Sequence, residues 1–128
     1  MNFDKPKKIF IVDDDTMLTE AFTDYLTRKV AHHISTFHTG EACLKHLSES
    51  PDCIILDYYL NTVQKDAANG MEILETIKKH YPGIHVIMLS SQESYNTAMQ
   101  SIRKGAEQYV IKDEEAFEKI SQMINEMS

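Results

Sequence analysis

Short apolar runs alternate with helical patterns along the chain. Continuous runs cover residues 8–12, 53–56, 85–89 and 108–111, and a weaker segment at 33–37 alternates between polar and apolar residues. Continuous apolar runs are typical of strands that are covered on both faces, as in a parallel sheet. We therefore predict five strands in one parallel sheet.

Five apolar stripes lie between and after these strands, each with the three- and four-residue spacing that places side chains on one helix face. The stripes are Leu18, Ala21, Phe22, Tyr25 and Leu26; Leu44 and Leu47; Leu74, Ile77 and Tyr81; Tyr95, Ala98, Met99 and Ile102; and Phe117, Ile120, Ile124 and Met127. Gly105 is expected to end the fourth helix. The alternation predicts a doubly wound α/β domain with right-handed crossovers around a central five-stranded parallel sheet.

Composition narrows the class of protein. A chain of 128 residues that is 42% hydrophobic can bury a core as one domain, residues 1–128, without disulfides or a structural metal. Its net charge of -7 argues against direct binding of nucleic acid through this domain. Cys43 and Cys53 lack metal-ligand spacing, so we expect both to be reduced and buried. Without a signal peptide or a membrane span, a cytoplasmic location with no membrane partner is expected.

Polar residues follow four of the five predicted strands. Ligands of open α/β sheets bind at the carboxyl ends of the strands, so these residues are the first candidates for a site. A strand-end Asp or Ser is often only a helix cap, and a lone Lys is often solvated, but their joint occurrence favours a site. They are Asp13, Asp14 and Asp15 after the first strand, Asp57 after the third, Ser90 and Ser91 after the fourth, and Lys112 after the fifth.

The negative charge of three consecutive aspartates at a strand end must be compensated. Two carboxylates roughly 4 Å apart repel by about 4 kcal/mol at an effective dielectric constant of about 20. Solvation by water could offset this repulsion, or a bound cation could do so. Asp14 and Asp57 could offer Mg²⁺ the oxygen ligands that it prefers, leaving one carboxylate able to attack phosphorus. Ser90 and Lys112 could then bind the phosphoryl oxygens.

The segments IFIVDDD, CIILD, VIMLSS and YVIKD occur in an order and approximate spacing that resemble a known family. The family is the receiver domains of bacterial two-component response regulators (CheY-like), including the single-domain chemotaxis type. The resemblance covers nearly the whole chain. It implies a (βα)5 flavodoxin-like three-layer sandwich and a phosphorylation-dependent switch.

The resemblance also implies a role for individual residues. Asp15 looks like a helix-start residue, while Tyr59 and Gln92 occupy positions that tune dephosphorylation in the family. The remaining roles are Asp14 as direct metal ligand, Asp13 as a metal ligand through water, Asp57 as metal ligand and phosphoacceptor, Tyr59 as metal ligand through its backbone carbonyl, Ser90 as the hydroxyl switch, Ser91 as the small residue that keeps the phosphate accessible, Tyr109 as the aromatic switch, and Lys112 as the phosphate-binding lysine.

By the same resemblance, Asp57 accepts a phosphoryl group from a histidine kinase or phosphotransfer protein in a Mg²⁺-dependent reaction. Ser90 then moves to bind the phosphoryl group and Tyr109 turns into the vacated space, which shifts the population of a bistable surface. That surface would comprise residues 94–104 and 108–127, and a downstream protein or a C-terminal output domain would read it. A phosphorylation-dependent dimer is left open. The only expected reactions are self-phosphorylation from a donor and autodephosphorylation, so the chain is not expected to be a conventional enzyme.

Three features depart from the family pattern. Asp113 follows Lys112 where the family usually has Pro after a cis peptide, so we expect a trans peptide here, because the cis form costs about 3 kcal/mol before other residues. Asn61 stands at the approximate place of another common Pro. The segment 58–69, before the glycine that opens the third helix, is longer than usual. It could shield the phosphoryl group or contact a partner, but a tolerated surface insertion is our default interpretation.

Other functions remain as alternatives. A Mg²⁺-dependent aspartyl-phosphate phosphohydrolase would use the same nucleophile, but Tyr59 stands where such enzymes carry a second acid. A flavodoxin-like nucleotide-binding module would need a phosphate cradle in place of DDDTML. A degenerate receiver would act only as a docking module. The six histidines show no convincing metal-ligand spacing.

Overall fold

Five strands and five helices alternate in the computed structural model, which describes residues 5–60 and 69–127. All five predicted strands are confirmed, with two of them one residue longer than predicted. The elements are β1 (Lys8–Val12), α1 (Thr16–Leu26), β2 (His33–Phe37), α2 (Gly40–Leu44), β3 (Cys53–Asp57), α3 (Gly70–His80), β4 (His85–Ser90), α4 (Tyr95–Arg103), β5 (Gln108–Ile111) and α5 (Ala116–Glu126), with a 3₁₀ turn at Leu47–Glu49.

The strands form one parallel sheet in the order β2-β1-β3-β4-β5. This confirms the doubly wound, flavodoxin-like prediction. The strand order reverses between β1 and β3, where ligands of such sheets bind. Val12 pairs with Leu56, and Asp57 with Leu89, so the carboxyl ends of the three central strands lie side by side.

Two hydrophobic layers cover the sheet. Alternate strand residues point to opposite faces, and both faces are apolar, which explains the continuous runs in the sequence. One layer joins Phe10, Ile54 and Val86 to side chains of α2 and α3, and the other joins Ile9, Ile55 and Ile87 to side chains of α1 and α5. Each fully buried side chain of this kind contributes about 1.5–3 kcal/mol to folding.

The two cysteines belong to these layers. Both are free and buried, as predicted. Burial raises the pKa of the Cys43 thiol and of the Cys53 thiol to about 12. Neither thiol is therefore reactive at neutral pH, because the thiolate is the nucleophilic form.

Local capping explains where several helices begin and end. The Asp15 carboxylate accepts a hydrogen bond from the Leu18 amide at 3.1 Å, which confirms its helix-start role. Asn69 and Glu72 form a capping box at the start of α3. Gly105 follows α4 with φ of 110°, a conformation in which a side chain would be strained, so it ends this helix as predicted.

Some stripes differ from the sequence expectation. The second is split, because α2 ends at Leu44 and Leu47 belongs to the 3₁₀ turn. The fourth stripe faces solvent: Tyr95, Met99 and Ile102 are 79%, 37% and 46% exposed. These side chains stay exposed because α4 contributes no residue to either hydrophobic layer. The one buried residue of α4 is Ser101.

Two further expectations concern the described residues 5–60 and 69–127. Within them, no helix is long and apolar enough to cross a membrane. The peptide bond between Lys112 and Asp113 is trans, as predicted. Asn61 and most of the long 58–69 segment lie outside the described residues, so the prediction of a tolerated insertion stays untested.

Candidate functional site

The sheet brings the predicted polar residues together at its carboxyl edge. Asp13 directly follows β1, and its amide donates to the Phe37 carbonyl at 3.0 Å. Asp57 and Ser90 are the last residues of β3 and β4. Lys112 directly follows β5, and its amide donates to the Ser90 carbonyl at 2.8 Å. Four distant parts of the sequence thus meet in one place.

Three carboxylates form the acidic part of this site. One oxygen each from Asp13, Asp14 and Asp57 lies within 4.8 Å of the others. Asp13 and Asp57 are only 1% and 2% exposed, while Asp14 is half-buried. The turn after β1 helps to fix Asp13, because the Asp15 amide donates to its Oδ1 at 3.0 Å.

The positive charge of Lys112 partly compensates the negative charge of the two buried carboxylates. Its Nζ lies 2.8 Å from Asp13 Oδ2 and 3.3 Å from Asp57 Oδ1. Burial alone would lower the pKa of Lys112, but hydrogen bonding and charge attraction from the two aspartates outweigh it and raise that pKa. Burial, reinforced by the charge of Asp13 and opposed by Lys112, raises the pKa of Asp57 to about 6. Asp57 is therefore largely ionised above that pH.

The donor set fits a divalent cation. Asp13 Oδ2 is fully buried, and within the described residues its contact with the Lys112 ammonium at 2.8 Å is not accompanied by a hydrogen bond from any other group. One ammonium also leaves the two buried carboxylates with an excess negative charge. Carboxylate oxygens are the ligands that Mg²⁺ prefers, whereas soft metals prefer thiolates. The three aspartates could hold such an ion at the carboxyl edge of the sheet.

Ser90 ends β4, which pairs with the strand of Asp57, and Tyr109 lies on the adjacent strand β5. Ser90 is fully buried, and its Oγ accepts a hydrogen bond from the Gln92 amide at 3.1 Å. The half-buried Tyr109 donates its hydroxyl proton to the Gln92 carbonyl at 2.7 Å. Burial raises the pKa of Tyr109. Ser91 is exposed.

Sequence reasoning missed two contributions to this site. The Tyr59 amide donates to Asp57 Oδ1 at 3.3 Å, while its hydroxyl donates to Gln92 Oε1. Gly70, which the sequence indicated only as a helix start, lies against the end of β3: an added Cβ would be 2.3 Å from the Asp57 carbonyl oxygen. The contribution of Tyr59 could have been found from its position in the sequence, because Tyr59 lies two residues after Asp57 and Gln92 lies two residues after Ser90.

Comparisons with known proteins agree with this geometry. The family described as response regulator receiver domain matches residues 9–125. Among curated relatives, the probable C4-dicarboxylate response regulator DctR of Bacillus subtilis is 31% identical over 110 residues, covering 84% of this chain and 46% of DctR. The luminescence regulatory protein LuxO of Vibrio campbellii is 29% identical over 107 residues, covering 83% of this chain and 22% of LuxO. This chain thus spans less than half the length of these two relatives.

Solved structures support the same assignment. The BeF3-activated receiver domain of DrrB from Thermotoga maritima superposes with a TM-score of 0.82 at 26% identity, covering 95% of this chain and 97% of that domain. The family match extends over most of the sequence and includes every strand except the first residue of β1. The chain therefore belongs to the response regulator receiver domain family of two-component signalling systems.

Proposed function

We propose that residues 1–128 form one receiver domain that works as a phosphorylation-dependent switch, with Asp57 as the phosphoacceptor. The convergence of Asp57 with Lys112 carries this proposal. Asp57 is 2% exposed, yet it ends a strand at the edge where the family places its chemistry, and the ammonium of Lys112 is 3.3 Å away. A buried carboxylate with a raised pKa beside a cation is typical of functional sites.

The proposed reaction is a phosphoryl transfer from a donor histidine. An Asp57 carboxylate oxygen attacks phosphorus, an O–P bond forms, and the N–P bond of the phosphohistidine breaks as the imidazole leaves and takes up a proton. Lys112 and Ser90 can donate hydrogen bonds to the transferred phosphoryl oxygens. The raised pKa of Asp57, about 6, leaves the attacking form available at neutral pH.

Mg²⁺ is the proposed cofactor. Asp13, Asp14, Asp57 and the backbone carbonyl of Tyr59 would hold it, and the acidic cluster within 4.8 Å supports this assignment. When bound, the ion would compensate the negative charge that the phosphoryl group brings to the carboxylates. Asp13 would act through a water molecule and Asp14 directly, as the family resemblance implies.

The proposed output surface is the α4–β5–α5 face, residues 94–104 and 108–127. Tyr95, Met99 and Ile102 expose an apolar stripe on α4 that a protein partner could bury. With Ser101 as its one buried residue, α4 can shift at a small packing cost. Ser90 ends the strand that precedes α4, and Tyr109 lies on β5 within this face, so phosphorylation could change the surface that a partner binds.

The proposed partners follow from the family. The donor is a histidine kinase or phosphotransfer protein, and the reader is a downstream protein or a C-terminal output domain; a phosphorylation-dependent dimer is an outcome to test. The cytoplasm is the proposed location, because the phosphodonors of such systems act there. Direct contact with nucleic acid is not proposed for a domain with a net charge of -7.

The experiment that tests the function is covalent labelling. The protein is incubated with Mg²⁺ and acetyl phosphate, and the intact mass is recorded before and after treatment with hydroxylamine, which cleaves acyl phosphates. Wild type and Asp15→Asn should be labelled, because Asn caps a helix as well as Asp does. Asp57→Asn should remain unlabelled, and equal labelling of that variant would overturn the assignment.

The same experiment separates the alternative functions. Sustained turnover of phosphoesters at enzyme-like rates would favour a phosphohydrolase, although the Tyr59 phenol is a poor replacement for a second carboxylic acid at neutral pH. No labelling of the wild type, with or without Mg²⁺, would favour a degenerate receiver that acts only by docking.

A further inference from the structure

Gln92 is hydrogen-bonded through three different groups. Its amide donates to Ser90 Oγ at 3.1 Å, its carbonyl accepts from the Tyr109 hydroxyl at 2.7 Å, and its side-chain Oε1 accepts from the Tyr59 hydroxyl. The three partners follow or belong to three different strands, β4, β5 and β3. Gln92 therefore connects the phosphoacceptor strand with both proposed switch residues.

Tyr59 is itself anchored at two points. Its amide donates to Asp57 Oδ1 at 3.3 Å, and its ring packs edge-on against the ring of Tyr58 with centroids 4.8 Å apart. Tyr58 in turn packs against the hydrophobic layer that contains α2 and α3. The backbone contact with Asp57 and the ring contact with Tyr58 thus fix the position of the Tyr59 side chain, which carries the hydroxyl group. Gln92, by contrast, is an exposed loop residue, whose side chain would otherwise sample several rotamers.

We infer that Tyr59 is a positioning residue for the switch: through Gln92 Oε1 it holds the turn after β4 in the conformation in which the Gln92 carbonyl accepts the Tyr109 hydroxyl. Tyr59 therefore stabilises the half-buried position of Tyr109 before any phosphoryl group is present. The signalling meaning of that position rests on the proposed function, but the positioning itself does not. One net hydrogen bond corresponds to a change of about 2- to 10-fold in the population of the held conformation.

This role differs from steric shielding of the phosphate. A shield would depend on the ring of Tyr59, whereas positioning depends on its hydroxyl group. Tyr59→Phe keeps the ring and removes only the hydroxyl. Tyr58→Phe makes the same chemical change one residue earlier and keeps the ring that supports Tyr59, so it is the matched control.

The test is an NMR spectrum of the unphosphorylated protein with ¹³C-labelled tyrosine rings, in which Tyr109 is assigned by its absence from Tyr109→Phe. In Tyr59→Phe, the Tyr109 signals should move towards those of a solvent-exposed tyrosine, with the held population reduced about 2- to 10-fold. In Tyr58→Phe they should stay at their wild-type positions. Unchanged Tyr109 signals in Tyr59→Phe would overturn the inference.

Variants of Gln92 supply an independent check. Gln92→Met removes the acceptor at similar length and should shift Tyr109 as Tyr59→Phe does, while Gln92→Glu keeps an acceptor and should retain the wild-type signals. The double variant Tyr59→Phe/Gln92→Met should shift Tyr109 no further than either single change. Additive shifts would mean that the two side chains act separately, which contradicts the inference.

The outcome can be separated from that of the proposed function. The spectra require no phosphodonor, so a shift of Tyr109 in Tyr59→Phe supports the positioning role even if Asp57 cannot be labelled. Conversely, normal labelling of Asp57 with unchanged Tyr109 signals would retain the switch and exclude Tyr59 as its positioning residue.

Discussion

The ammonium group of Lys112 lies 3.3 Å from Asp57 Oδ1, at the point where β3 and β5 bring their carboxyl ends to the same edge. The same group lies 2.8 Å from Asp13 Oδ2, so a single cation contacts two almost fully buried carboxylates. Its side chain is 23% exposed, so the pair is not completely buried. Lys112 therefore influences both the ionisation of Asp57 and the stability of the fold.

We predict that Lys112→Met raises the pKa of Asp57 above its wild-type value of about 6, because Lys112 is the charge that opposes the rise. The variant should also be destabilised by about 1–3 kcal/mol at neutral pH. This is less than for a fully buried pair, because the lysine is partly exposed. A ¹³C carboxyl titration gives the pKa, and urea unfolding gives the stability.

Lys119→Met is the control for Lys112→Met. Lys119 forms ion pairs with Asp113 at 3.9 Å and Glu115 at 3.5 Å, all at exposed positions. Its replacement should leave the Asp57 titration unchanged. An Asp57 titration that is the same in Lys112→Met and wild type would contradict the proposed electrostatic role of Lys112.

The stability of the metal-free protein should fall as the pH rises from about 4 to 6. The pKa of Asp57 is about 6 in the folded chain, above the usual value of about 3.9 in an unfolded one. The folded state therefore holds the proton more tightly, and the stability gained from it is present below pH 4 and lost as pH rises through 6.

Asp57→Asn tests this pH dependence because it removes the charge and keeps the shape. In EDTA at pH 7.5 it should be more stable than wild type by about 1–3 kcal/mol, and at pH 4 the difference should largely vanish. Urea unfolding at several pH values measures both. An Asp57→Asn protein that is equally stable to wild type at pH 7.5 would show that the buried charge carries no cost.

The strands and the site composition could be predicted from the sequence because both depend on short stretches. A strand buried on both faces needs a continuous apolar run, and the polar residue that follows it lies at the sheet edge. Asp13, Asp57 and Lys112 each directly follow or end such a run, and the structure brings them into contact.

Features that depend on the packing of distant segments could not be predicted in this way. Helical spacing indicates that Tyr95, Met99 and Ile102 share a face, but it does not indicate whether another element covers that face, and here they are exposed. The contact between Tyr59 and Gln92 joins side chains of two loops, 33 positions apart, so no local pattern indicates it.

Mg²⁺ should stabilise the wild-type protein. The three carboxylates exist in this arrangement only in the folded state, so an ion that binds them shifts the folding equilibrium by mass action. At an ion concentration 100 times the dissociation constant, the gain should be about 2.7 kcal/mol. Thermal unfolding with increasing Mg²⁺ measures it, and EDTA should reverse it.

Neighbouring aspartates provide the comparison for the metal prediction. Asp14→Asn should lose most of the stabilisation by Mg²⁺, because it removes a charged ligand of the proposed ion. Asp15→Asn should keep it, since Asp15 instead caps α1 by accepting from the Leu18 amide and Asn serves equally well as a cap. Equal responses of the two variants would point to non-specific screening by the cation.

Gly70→Ala should destabilise the protein and also disturb Asp57, the proposed phosphoacceptor. The Gly70 amide donates to the Tyr58 carbonyl at 2.9 Å, which draws the start of α3 against the end of β3. An added Cβ would lie 2.3 Å from the Asp57 carbonyl oxygen and 2.7 Å from the Tyr58 Cα. Both contacts are with main chain, which cannot rotate away as a flexible side chain can. A cost of about 1–3 kcal/mol is expected from such overpacking.

Gly83→Ala is the matched control, because among the described residues no atom beyond its own chain neighbours lies within 4 Å of its added Cβ. It should leave stability unchanged or raise it slightly, by reducing the entropy of the unfolded chain. Urea unfolding compares the two variants, and labelling with acetyl phosphate shows whether Asp57 has moved. Because the clash in Gly70→Ala falls on the main chain of Asp57 itself, slower labelling should accompany the loss of stability. Normal labelling with reduced stability would mean that α3 yields to the clash while β3 keeps its position.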